Sequence, residues 1–352
     1  MRLALLLALS LGVAGQLAAQ SQAQSQAQSQ AKAPHAYTLS GEAAGTHDPS
    51  VMKQGDTWYV FATGFAPGGG QMAIRCSKDL EHWTLCGHVF DAIPQWIQKE
   101  SPGTKELWAP DISRYKGEYR LYYAYSLFGK NTSGIALATN RTLDPHSPEY
   151  KWEDKGPVLR STAADDFNAI DPNFVVDTHG GTWLALGSFW SGIKLTRLDD
   201  KTGKPAGTPR YYAIASRAQP PGAPPAKPGL PPDWEAVEAP FIVHYGGYYY
   251  LFVSWDLCCR GRKSTYRTMV GRAAEITGPY LDKQDVSMEK GGGTEVLTAN
   301  HRWLGPGGES LLMQPSGDIM VFHAYDASNG KPSLQISTVD WSSGWPIVAL
   351  SK

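Results

Sequence analysis

Beyond about His35 the apolar positions fall in short runs, with no sustained helical spacing. Five of these runs stand out for their aromatic and β-branched content: TWYVFATG (57–64), EYRLYYAYS (118–126), TWLALGSF (182–189), YYYLFVSW (248–255) and IMVFHAYD (319–326). Glycine-rich turns separate them, so the pattern predicts strands joined by hairpins. Ahead of each run lies a shorter strand that opens near an acidic residue. The openings are HDPSVM at Asp48, APDISR at Asp111, IDPNFV at Asp171, EAPFIV at Glu238 and GESLLM at Glu309, about 60 to 71 residues apart. Further strands follow in most units, such as GIALATN with KWEDKG in the second. A repeat of this length with four strands per unit predicts an all-β, five-bladed β-propeller filling the chain. A β-sandwich is the alternative, but it gives no reason for an acidic residue at every unit start.

The N-terminus breaks the pattern. Arg2 precedes an apolar run from Leu3 to Val13 and small residues at Ala14, Gly15, Ala18 and Ala19. That order reads as a signal peptide over residues 1–19, with an apolar core too short to span a bilayer. A Ser/Gln/Ala low-complexity linker over 20–34 has nothing to bury. The folded domain is therefore expected over 35–352, in a secreted or periplasmic protein. The Pro/Ala-rich stretch Ala218–Pro232 cannot be a central strand, because proline supplies no ladder donor; a surface loop is expected there.

Charge narrows the function. The 32 basic and 33 acidic side chains leave a net charge of −1, which excludes nucleic-acid binding through bulk positive charge. Twelve Trp and 17 Tyr suit contact with a flat, uncharged partner such as a sugar ring. In a propeller the innermost strands line the axis, so acids at their starts converge at one channel mouth. Any single acid there could simply close an Asx-turn. The set asks for more, because carboxylates gathered without partners raise one another's pKa. Three of them also stand beside or near proline (His-Asp-Pro, Asn-Ala-Ile-Asp-Pro, Glu-Ala-Pro), which fixes the local backbone. Facing carboxyls in an aromatic cleft are equipment for cutting a glycosidic bond.

The segments HDPS (47–50), LWAPD (107–111), NAIDPN (168–173), EAPF (238–241), CCRG (258–261), STY (264–266) and GPY (278–280) together resemble glycoside hydrolase family 43, and within it the secreted α-1,5-L-arabinanases. The resemblance implies hydrolysis with inversion. Asp48 would be the general base, Glu238 the general acid, and Asp171 the group that tunes and orients the acid. Inversion leaves room for water, so Asp48 and Glu238 are expected roughly 6.5–9.5 Å apart. Asp111 is either structural or substrate-positioning. Asn168, Trp108 and Trp190 are candidate sugar contacts, whereas Phe128 reads better as loop packing. Cys76 and Cys86 flank a hairpin and are expected to pair. Cys258 and Cys259 close a vicinal disulfide at the substrate rim or remain separate thiols. Many relatives carry histidine in a Gly-Pro-Gly-His setting that helps hold an axial ion, often calcium. Here the sequence reads Gly305, Pro306, Gly307, Gly308, so Glu309 is the remaining candidate ligand. No cofactor is needed for the chemistry. The expected partner is linear arabinan, met by a monomer, with no nucleic acid and no membrane. Alternatives are exo-arabinanase action, a β-xylosidase or α-L-arabinofuranosidase, and a non-catalytic sugar-binding propeller. A retaining fructan-cleaving propeller is disfavoured because the first blade lacks an Asn-Asp-Pro-Asn-Gly-type opening.

Overall fold

The computed structural model describes residues 33–225 and 231–352. The expected signal peptide and most of the expected linker lie outside these, as do residues 226–230 of the Pro/Ala-rich stretch. The described part of that stretch contains no strand, as expected of a loop.

Five sheets follow one another in sequence. The first contains β1 (Ser40–Gly41), β2 (Ser50–Gln54), β3 (Thr57–Phe61), β4 (Gln71–Ser77) and β5 (His82–Phe90). A short helix, α1 (Gln95–Glu100), leads to β6 (Trp108–Tyr115), β7 (Glu118–Tyr125), β8 (Gly134–Asn140) and β9 (Glu153–Arg160). The third sheet is β10 (Asn173–Val176), β11 (Thr182–Leu186), β12 (Ile193–Leu198) and β13 (Tyr211–Ala215). The fourth is β14 (Val237–Tyr245), β15 (Tyr248–Trp255), β16 (Arg267–Ala273) and β17 (Thr294–Leu297). The fifth is β18 (Trp303–Leu312), β19 (Ile319–Asp326) and β20 (Pro332–Thr338). Within β2–β5 and each later sheet, neighbours are antiparallel and in sequence order; only β1 runs parallel to its partner, β5. These are the five blades of a propeller.

The second strands are apolar on both faces because each blade is sandwiched between two others. In β7, Leu121, Tyr123 and Tyr125 pack toward the first blade, while Tyr122 packs toward the third. Apolar clusters fill the seams between successive blades, and one of them joins Val321 and Ile336 of the fifth blade to Val51 and Trp83 of the first. The core is thus a ring of seams around a polar axis.

The fifth blade has three strands of its own rather than the expected four. The N-terminal segment completes it. Tyr37 N–H donates to the Ile336 carbonyl, Leu334 N–H to that of Ala43, and Thr338 N–H to that of His35. β1 meanwhile pairs with β5 of the first blade, so residues 35–45 stitch the ends of the ring together. His35, the expected start of the folded domain, takes part in this closure.

Candidate active site

The blade openings superpose by backbone, not by acid. One residue in each is left-handed: Asp48 (φ 46°), Ala109 (43°), Asp171 (55°), Ala239 (51°) and Gly308 (61°). Proline follows in four blades and Glu309 in the fifth. The five acids therefore occupy different registers. Asp48 and Asp171 sit at the left-handed position itself, Glu238 one residue before it, Glu309 one after and Asp111 two after. Ladder pairing breaks around this point in β6, β14 and β18. Such bulges re-aim side chains at the end of a strand. Residues of these turns from all five blades line an axial cavity of about 40 Å³, room for water.

Asp48 is partly open, with 23% of its side chain exposed. Its Oδ2 accepts from Thr63 Oγ1 at 2.7 Å and lies 2.8 Å from His47 Nδ1. Its Oδ1 lies 3.7 Å from His323 Nδ1. Burial opposes its charge, but His47, His323 and the Thr63 hydroxyl outweigh that and hold the carboxyl well below the ordinary Asp range. It is a carboxylate throughout the working pH range.

Glu238 is 8% exposed and biased the other way. Ser188 Oγ donates to Oε2 at 2.6 Å and the Tyr266 hydroxyl donates to Oε1. Burial pushes its pKa up to about 7, against the Ser188 hydrogen bond and with help from the Asp48 charge. Asp171 accepts the Ala239 N–H at 3.1 Å, which ties it to the residue after Glu238. Burial and repulsion from Glu238 raise it well above its usual value. The Glu238–Asp171 pair therefore keeps a proton at neutral pH. The rings of Tyr266, which contacts Glu238, and His323, which contacts Asp48, stand 5.9 Å apart.

A carboxylate held ionised beside a carboxyl held protonated is an acid–base pair set by environment. The profile of Glycosyl hydrolases family 43 matches residues 43–346. The chain belongs to that family. An extracellular exo-α-(1→5)-L-arabinofuranosidase, ArbA, of Cellvibrio japonicus is 44% identical over 310 residues, covering 86% of each chain. An extracellular endo-α-(1→5)-L-arabinanase of Bacillus subtilis is also 44% identical, over 302 residues, covering 85% of this chain and 86% of its own. A solved Cellvibrio cellulosa α-L-arabinanase complexed with arabinohexaose matches with a TM-score of 0.81 and 42% identity, covering 88% of this chain and 96% of its own.

Within this family 43 fold the remaining candidates separate clearly. Asp111 is buried, and its carboxylate accepts Phe174 N–H at 2.7 Å and Asn173 Nδ2 at 3.1 Å. Burial raises it to about 7. Of its two readings, the geometry supports the structural one: it straps the second blade to the third. Asn168 is 4% exposed and its Oδ1 has no protein partner. Trp190 is half-buried with an unpartnered indole N–H, and Trp108 is half-buried at the start of β6. Phe128 is 82% exposed, so the expectation that it packs its loop is wrong; its turn stands out from the blade.

Both disulfides form, Cys76 with Cys86 and Cys258 with Cys259. The second borders the site, since Cys259 N–H donates to Tyr325 Oη at 2.9 Å and that hydroxyl lies 2.7 Å from His47 Nε2.

Glu309 lines the axial cavity, but Ser254 Oγ and Thr268 Oγ1 already donate to its Oε2, and burial raises it to about 7. Its Oε1 alone is without a partner. Among the described residues, the side-chain groups that converge tightly enough to share an ion are His47–Asp48–His323 and His47–Cys258–Cys259, and neither includes Glu309. At Gly308 a Cβ would come within 2.8 Å of Asp48 Oδ1 and 2.9 Å of His323 Nδ1. A histidine does not fit there without displacement, so the residues present do not match the ion site the resemblance implies.

Sequence reading passed over Thr63, Ser188, Tyr266, His323 and Tyr325. A signal existed: Thr63, Ser188 and Ser254 are short hydroxyls just after or at the end of the second strands, and each reaches an opening acid.

Proposed function

We propose that this chain is a secreted, inverting endo-α-1,5-L-arabinanase that acts on linear arabinan as a monomer. The observation that carries the reading is the opposite bias of Asp48 and Glu238, one held ionised and one protonated within one cleft. In the proposed reaction Asp48 takes a proton from water as the water attacks the anomeric carbon. Glu238 gives its proton to the leaving oxygen, and the anomeric configuration inverts. Asp171 orients this acid through the Ala239 N–H and keeps a proton on the pair. Asn168, Trp108 and Trp190 present an unpaired amide oxygen and two indoles to the sugar. The chemistry runs through carboxyl groups and water, with no cofactor in the proton transfers. The names of the two 44% relatives support the linkage, and the words "extracellular" in both support secretion.

Exo action is the second reading, because one of those relatives is named an exo-enzyme at the same identity. Digestion of debranched arabinan, sampled early, separates the two: endo action gives a ladder of oligosaccharides and exo action a single small product. Glu238→Gln is expected to lower turnover by about 10²–10⁴-fold with the fold intact. Near-normal turnover in that variant, or retention of configuration by proton NMR, sinks the mechanism.

A further inference from the structure

The two disulfides differ in what surrounds them. Cys76–Cys86 staples β4 to β5. Cys258–Cys259 stands at the cleft rim against His47, with Cys259 Sγ 3.7 Å from His47 Nε2. An imidazole nitrogen and the two sulfurs lie within 4.8 Å of one another. Cys259 is exposed and Cys258 half-buried, so the bond is open to solvent reagents.

Geometry decides which His47 nitrogen can ligate: Nε2 is the one that faces the sulfurs. Tyr325 Oη accepts from Cys259 N–H and lies 2.7 Å from His47 Nε2. The other His47 ring nitrogen, Nδ1, lies 2.8 Å from Asp48 Oδ2. Two sulfurs and a lone-pair imidazole nitrogen, once the sulfurs are free, are a donor set for a soft d¹⁰ cation.

We propose that Cys258, Cys259 and His47 form a soft-metal site that is masked by the disulfide and unmasked by reduction, taking one Cd²⁺ or Zn²⁺ through two thiolates and Nε2. With a trialkylphosphine as reductant, the S–S bond accepts two electrons and breaks. The phosphorus becomes a phosphine oxide with oxygen from water, and the two protons of that water go to the sulfurs. The metal then displaces both thiol protons to solvent, with no further electron transfer. Occupation takes Nε2 away from Tyr325 and sets a cation beside Asp48 at the substrate rim. Reduced, metal-loaded enzyme is therefore inactive, and a chelator restores it.

The test is equilibrium dialysis of purified protein against Cd²⁺, before and after phosphine treatment, with the cadmium–thiolate ultraviolet band as a second readout. Expected is one Cd²⁺ per reduced chain with the band, and no Cd²⁺ on oxidised chain. Cys76→Ala/Cys86→Ala should keep redox-dependent binding, Cys258→Ser/Cys259→Ser should lose it, and His47→Gln should weaken it at least about tenfold. Reduced protein whose thiols are capped with iodoacetamide should bind none, a result independent of whether the serine variant folds. Absence of Cd²⁺ on reduced chain overturns the proposal. So does equal binding by oxidised chain, which puts the metal on His47–Asp48–His323, and so does binding that follows Cys76 and Cys86.

Discussion

At the residue scale, Ser188 and Tyr266 donate to opposite oxygens of Glu238, whereas Asp48 faces His47, His323 and Thr63. The signs of these contacts predict the pH profile. In the proposed mechanism Glu238 acts when protonated, so the rate should fall as pH rises through about 7. In the same mechanism Asp48 acts when ionised, so the acid limb should lie below the ordinary Asp range. Ser188→Ala removes a donor that favours the charged form of Glu238 and should move the basic limb upward by about half a pH unit or more. A pH–kcat/KM profile checks this; an unmoved limb would mean that Ser188 only packs. His47, Ser188, Tyr266 and His323 were hard to read from sequence because each matters through a partner distant in the chain. Asp48, Asp171 and Glu238 stand out in the sequence because proline follows each within two residues, a local signal.

At the element scale, the opening turn is the unit that repeats, and its repeating property is a left-handed residue followed by proline. Aligning acids gave the right blades but hid that Asp111, Glu238 and Glu309 stand in three registers. The reason is physical: backbone geometry repeats, while the side chain at each register is free to serve the axis, the cleft or the next blade. Two residues past the left-handed position, Ser50 accepts Ile112 N–H, Asp111 accepts Phe174 N–H, Asn173 accepts Ile242 N–H and Ser310 accepts Val51 N–H. Four of the five seams are strapped this way, and Phe241 occupies the fifth position with apolar packing. For Asp111 the folded pKa lies near 7 and above its unfolded value, so the fold favours its neutral form. Its contribution to stability is complete below about pH 4 and falls as pH rises toward 7. Asp111→Asn removes the charge and keeps the acceptor for Phe174 N–H, giving up the one that faces Asn173 Nδ2. It should raise stability by about 1–3 kcal/mol at pH 8 and flatten the pH dependence between 4 and 7, with turnover within about twofold. Urea melts at several pH values read it out.

At the scale of the whole molecule, the ring is closed by hydrogen bonds between residues 35–45 and β20 and by β1 on β5. The propeller itself was legible from its period, but this closure was not, because residues 35–45 carry neither an acidic opening nor an aromatic run. Removing residues 33–45 should leave β20 an open edge, lower Tm by several °C and promote association, seen by light scattering. An unchanged melt would mean that the apolar seams alone hold the ring.

The same closure orders events in time. His35 bonds to Thr338 across 303 residues, so the first folded residues to leave the ribosome or the export channel wait for nearly the last. Four blades can form as they emerge, but the fifth cannot be completed until β20 is out. Until then β20's partner segment and the open edge of the first blade are both unpaired. The ring therefore closes only when nearly the whole chain is available.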